Sequence, residues 1–172
     1  MTSEQTNPQD PSSASISRSE AQLARLLDWV RAAESRLTFV LPLSTAMLGA
    51  LAVLAPAPSK WTVLGGIACA FAAFFLLLCI VCAALASFPR ITGPKGSLIY
   101  FGGITTLDLN QYESAVKSMT PETYLADLIG QCHRNAQIAE RKYAWLHRSM
   151  ICLFIAALPW VISLLILYSQ KP

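Results

Sequence analysis

The chain has 172 residues, 54% of them hydrophobic and 13% charged, with a formal net charge of +3. A soluble domain carries about 25% charged residues, so this composition excludes an ordinary water-soluble globule as an account of the whole chain. The small positive excess needs no nucleic acid, because basic residues at a membrane surface meet anionic lipid.

Residues 1–16, "MTSEQTNPQDPSSASI", are rich in Ser, Pro and Gln and are expected to form a disordered tail. They have no basic n-region and no cleavage site, so they do not read as a signal peptide. Ser17 and Glu20 stand in capping-box spacing. Leu23, Leu26, Leu27, Val30, Ala33, Leu37 and Val40 then recur at three- and four-residue intervals. The pattern predicts a cytoplasmic amphipathic helix over 17–36 that runs into a transmembrane helix over 37–57, kinked at Pro42. Gly49 and, in the next span, Gly66 are small enough to let helices approach closely.

After the short loop "APAPSKW", no charge occurs from Trp61 to Phe88. About 20 apolar residues cross roughly 30 Å of hydrocarbon, so 61–87 is the second transmembrane helix. Cys69, Cys79 and Cys82 lie in it, Cys132 and Cys152 beyond it. Buried thiols behave as small hydrophobes, and the spacing indicates neither zinc nor a disulfide framework.

Residues 88–147 form a cytoplasmic insert and stalk helix. In "SLIYFGGIT", Leu98 to Phe101 favour a strand, and Gly102-Gly103 can supply the positive φ of a tight turn, so a β-hairpin is predicted. The other reading of the glycine pair is close backbone approach to a ligand phosphate. Asp108 with Gln111 opens a short helix to about Ser118. Thr120-Pro121-Glu122 opens a long one, striped by Leu125, Leu128, Cys132, Ala136, Ala139, Tyr143, Leu146 and Met150. From 121 to 168 it would measure roughly 72 Å, more than a bilayer, with 148–169 as the third transmembrane helix. The fold class is therefore an all-α membrane protein with three transmembrane helices. The first and third extend into a cytoplasmic helical stalk, and the insert contains a small β-hairpin. The stalk stripes can pair within one chain or between subunits.

Eleven basic residues flank the N-terminal helix and the insert, against Lys60 and Lys171 on the other side. The positive-inside rule then predicts a multi-pass protein of the cell inner membrane with a cytoplasmic N-terminus and a periplasmic C-terminus. No catalytic constellation, metal site or cofactor motif is evident, and no enzyme activity is expected. His133 and His147 lie on one predicted helix roughly 21 Å apart. Without an ionisable residue at mid-span, a coupled transporter is not expected.

The chain resembles a known family in "IYFGGI" (99–104), the Tyr124–Leu128 segment "YLADL" and the "N-x-x-I-A-x-x-K" pattern from Asn135 to Lys142. These motifs, in this order, are similar to the transmembrane effectors of bacterial Pycsar antiphage systems. The resemblance implies a partner nucleotidyl cyclase making cyclic UMP or cyclic CMP. It also implies a membrane effector that senses this nucleotide, disrupts the inner membrane and aborts the infection. Three spans are too few for a pore in one subunit, so a homo-oligomer is expected. A cyclic nucleotide has a phosphate, a sugar and a flat base. Arg90, Lys95 or Arg134 would meet the phosphate, the Gly102 and Gly103 amides would assist, and Tyr100 or Phe101 would stack the base. The alternative is a passive membrane scaffold recruiting a cytoplasmic partner.

Reporter fusions after Lys60 and after Gly103 are expected to report opposite sides of the membrane. The same side for both would refute the charge-based topology.

Overall fold

The computed structural model describes residues 11–89, 93–94 and 96–169. Helix α1 spans Pro11–Leu54, a single 3₁₀ turn spans Pro58–Lys60, and α2 spans Val63–Ser87. Two short helices follow, α3 at Phe101–Ile104 and α4 at Leu109–Lys117, before α5 at Pro121–Ser169. Helices α1, α2 and α5 are long and apolar enough to cross a membrane. In hydrocarbon every backbone polar group must be satisfied internally, which is why the spans are helical.

Local signals set most boundaries. The Asp108 side chain accepts from Gln111 N at 2.8 Å, and Gln111 Oε1 accepts from Asp108 N at 3.1 Å, a complete capping box for α4. Thr120 and Thr123 cap α5 reciprocally, each backbone N–H donating to the other's hydroxyl oxygen. The N-terminal expectation is corrected. Residues 11–16 are helical, with proline at the first helical position it favours, and residues 1–10 of the expected tail lie outside the described residues. Ser17 and Glu20 thus fall inside α1 rather than at its start. Glu20 accepts instead from the Tyr124 hydroxyl at 2.9 Å.

The chain divides into two compact units. One comprises the described residues of Met1–Val30 and Arg90–Ala139, the other those of Arg31–Pro89 and Glu140–Pro172. In the first unit, Leu26 of α1 and Leu128 of α5 are buried, and Cys132 Sγ donates to Ser19 O at 3.5 Å. The stalk stripes of α1 and α5 therefore meet within one chain.

The second unit is a three-helix bundle. Ala33, Leu37 and Val40 of α1 pack with Cys79, Ala83 and Ala86 of α2 and with Leu146 and Cys152 of α5. A second cluster joins Leu51, Ala72, Leu76, Ala156 and Leu167. Helices in lipid gain nothing from hydrophobic association, so small residues and interhelical hydrogen bonds must hold them. Both are present. Ser149 Oγ donates to Cys79 O at 3.0 Å, and Trp160 Nε1 donates to Met47 O at 2.8 Å. Large side chains such as Phe39, Val53, Phe74, Phe154 and Leu158 face outward, as contact with lipid requires.

The predicted hairpin is replaced by a helical turn, and the described residues contain no strand. Among them the positive-φ glycine is Gly96, at 73°, not Gly102 or Gly103. Strand-favouring side chains at 98–101 do not prevail, because Ser97 Oγ accepts from Ile99 N at 3.2 Å and Tyr100 N at 3.0 Å. Those bonds turn the backbone into α3, where Gly103 N and Ile104 N donate to Tyr100 O.

Close approach in the bundle occurs at Gly65. A Cβ there would stand 2.9 Å from Thr62 Oγ1 and 3.0 Å from Ile166 Cγ2. Gly49 faces open space, and a Cβ at Gly66 would only reach Trp61 at 3.8 Å. Gly65→Leu is therefore expected to destabilise the bundle by about 1–3 kcal/mol through overpacking, and Gly49→Leu to leave it unchanged. Unfolding of both variants in detergent, followed by circular dichroism, checks the difference.

Candidate functional site

The insert is organised around Ser97, which is 3% exposed. Its Oγ lies at the start of the α3 turn and also receives Gln131 Nε2 of α5 at 2.8 Å. Its carbonyl faces Gly103 so closely that a Cβ on that residue would lie 2.1 Å from the oxygen. Leu98 N donates to Asp127 Oδ2 at 2.9 Å, so a second side chain of α5 fixes the same segment. Pro94 packs over Gly130 of α5, where a Cβ would meet it at 3.6 Å. Gly130 and Gln131 follow Asp127 by three and four residues, so one face of α5 presents all three to the insert.

These contacts leave a cleft of about 280 Å³ lined by Gly93, Pro94, Gly96, Tyr100, Gly102, Gly103 and Thr106. Glycine makes it possible. A Cβ at Gly93 would fall 2.2 Å from the Tyr100 ring, and one at Gly102 would fall 2.5 Å from it. The lining offers main-chain groups, one aromatic ring and the Thr106 hydroxyl, which donates to Gly103 O at 2.6 Å. Among the described residues it holds no charged side chain. Such a wall offers a stacking face and hydrogen-bonding groups.

Of the residues expected at a site, Tyr100, Gly102 and Gly103 come together in this cleft. Phe101 packs its ring on Tyr100, with centroids 4.5 Å apart, but is itself 59% exposed. Arg134 Nη1 donates to Gln137 Oε1 at 3.2 Å along its own helix and is not in the lining. Arg90 and Lys95 lie outside the described residues. The lining also includes Gly93, Pro94, Gly96 and Thr106, and its support Ser97 and Gln131, none of which the sequence alone singled out. The run of glycines from 93 to 103 was an available signal, whereas the partnership of Ser97 with Gln131 was not.

The ionisation of nearby groups follows their contacts. The hydrogen bond to Glu20 pushes the Tyr124 phenol up, so this tie persists through neutral pH and is lost only as pH rises through the shifted value. Hydrogen bonds from its own backbone and from Thr120 hold the Glu122 carboxyl below the usual carboxylate range. Burial pushes the Cys132 thiol up, which keeps it protonated as a packing group. Among the described residues, no three metal-binding side chains gather at one point.

Residues 18–169 match the Pycsar effector protein domain. The chain belongs to the Pycsar effector family. A curated relative is the Pycsar effector protein PtPycTM of Propioniciclava tarda. It is 27% identical over 154 residues, covering 80% of this chain and 76% of the relative. No solved structure matches the chain. For this Pycsar effector, the family match runs through both units and includes the cleft and all three spans.

Gly103→Ala is expected to unfold the insert, because the obstructing atom is a backbone carbonyl that cannot move aside. Gly130→Ala should be tolerated, since Pro94 stands at ordinary contact distance. Limited proteolysis of the two variants should cleave the first within 93–108 and leave the second resistant there.

Proposed function

We propose that this chain is the membrane effector of an antiphage system, triggered by a cyclic pyrimidine nucleotide, cyclic UMP or cyclic CMP, made by a partner nucleotidyl cyclase. The observation that carries the reading is the position of "IYFGGI". This segment, in a chain of the Pycsar effector family, supplies three lining residues of the cleft: Tyr100, Gly102 and Gly103. At about 280 Å³, the cleft is near the lower end of the roughly 300–1,000 Å³ usual for small-molecule sites. It suits the nucleoside part of the ligand. The base stacks on Tyr100, where aromatic stacking is worth about 1–3 kcal/mol, and Thr106 and the glycine main chain offer hydrogen bonds. Arg90, Phe101 and Arg134 complete the proposed set, the two arginines for the phosphate and Phe101 supporting the Tyr100 ring.

Under this reading the insert faces the cytoplasm and the C-terminus the periplasm of the inner membrane. Helices α1 and α5 each continue from one unit into the other, so the chain itself carries a change at the insert into two spans. Such a change is limited by the ligand's differential affinity for the two states, about 1–3 kcal/mol per site. Assembly into a homo-oligomer multiplies that small term. It also gives three spans per chain a means to breach the bilayer and abort the infection. The protein acts by rearrangement rather than by catalysis. A scaffold reading draws on α4, where Leu109 and Val116 are 78% and 45% exposed and available to a partner protein.

Dye entry into cells, or release from vesicles, decides the matter. Added cyclic UMP or cyclic CMP should permeabilise membranes bearing the wild-type chain. Tyr100→Ala should insert normally and need about tenfold or more nucleotide. Intact membranes at saturating amounts of both nucleotides would favour the scaffold.

A further inference from the structure

Within the second unit, Lys142 Nζ of α5 donates to Glu34 Oε1 of α1 at 2.8 Å. The two side chains are unequally placed, Lys142 at 5% exposure and Glu34 at 54%. The pair stands where both long helices pass from one unit to the other, one turn before Leu37 and Leu146 of the bundle core. Neither residue lines the cleft, and the nucleotide reading does not use them.

The inequality has a direct consequence. A solvated carboxylate that loses its partner keeps its water, but a buried ammonium that loses its anion has neither water nor counter-charge. We infer that Glu34 and Lys142 form a one-sided charge latch that holds α1 against α5 at the entrance to the spans. The latch is released from the Glu34 side. Once the carboxylate is gone, Lys142 regains hydration only if α1 and α5 part at this level. Removing the ammonium instead leaves an apolar seam that can close. Glu34→Gln is therefore disruptive, Lys142→Met is mild, and the double variant is mild because it removes the buried charge together with its partner.

The link from latch to membrane opening rests on the proposed function, so two readouts separate them. The full-length chain and the variants E34Q, K142M and E34Q/K142M are reconstituted in vesicles. Acylation of Lys142 by an amine-reactive ester is followed by mass spectrometry, and dye release is followed without nucleotide. Lys142 in E34Q should react at least about tenfold faster than in wild type, matching exposure of a previously buried charge. E34Q vesicles should leak unprompted, while K142M and the double variant stay tight. Protection of Lys142 in E34Q equal to wild type, or equal leakage from E34Q and K142M, would overturn the latch. Faster acylation without leakage, in a preparation where wild type still responds to nucleotide, would overturn its role in opening. A wild type that never leaks fails the proposed function, and the acylation result still judges the latch. Where E34Q does not accumulate but K142M and the double variant do, that is the same asymmetry and supports it. In that case E34D, which keeps the charge but shortens its reach, should show intermediate acylation, and a wild-type rate would overturn the latch.

Discussion

The structure depends on one repeating constraint: the long helices pack through seams in which buried positions recur mostly at three-, four- and seven-residue steps. On α2 the buried set includes Gly65, Ala72, Leu76, Cys79, Ala83 and Ala86. On α1 it includes Ala33, Leu37, Val40, Ser44 and Leu51, and on α5 Leu128, Gln131, Ala139, Lys142, Leu146, Ser149, Ala156, Ser163 and Leu167. A repeat of seven keeps one face of a helix against its neighbour over many turns. That persistence lets α1 and α5 each contribute to both units as single helices of 44 and 49 residues.

What fills the seams changes with the surroundings. Within the bundle they are built mostly of alanine, leucine, cysteine and serine, because lipid supplies no hydrophobic drive and contact must come from close packing. The buried serines are not orphaned. Ser44 and Ser163 return their hydroxyls to carbonyls one turn earlier, on Val40 and Pro159, whereas Ser149 crosses to α2. Outside the bundle the seam of α5 takes Gln131, which fastens the insert, and at the junction it takes Lys142, which meets Glu34. One face of a single helix thus serves packing, anchoring of the insert and charge pairing in turn.

The insert gains its form from backbone contacts rather than from a core of its own. None of the nine residues of α4 is buried, and α3 is a single helical turn. Ser97, Gly103, Asp127 and Gln131 hold the segment through one close approach and a few hydrogen bonds. Segments with so few buried apolar contacts open at low free-energy cost. The glycine density that removes side-chain bulk from the cleft also leaves the fold without packing in reserve.

Composition and local pattern alone identified the three spans, the long first and third helices and the caps at Asp108 and Thr120. Apolar length, helical period and capping bonds between residues three apart are local quantities, legible along the chain. The same reasoning named Tyr100, Gly102 and Gly103 together, and as neighbours in sequence they line one cleft. It gave the segment the wrong backbone, because the atoms that decide between a hairpin and a helical turn include Gln131, 34 positions away, and Asp127, 29 from Leu98. It placed Tyr143 on the stripe of α5 but not the buried Lys142 beside it, whose partner Glu34 is 108 positions distant. Likewise Gly65 is a point of close approach within the bundle because Ile166 packs there. Spans and caps follow from what each residue does with its near neighbours and its solvent. Which glycine, lysine or serine bears an interhelical contact is decided only when distant segments meet.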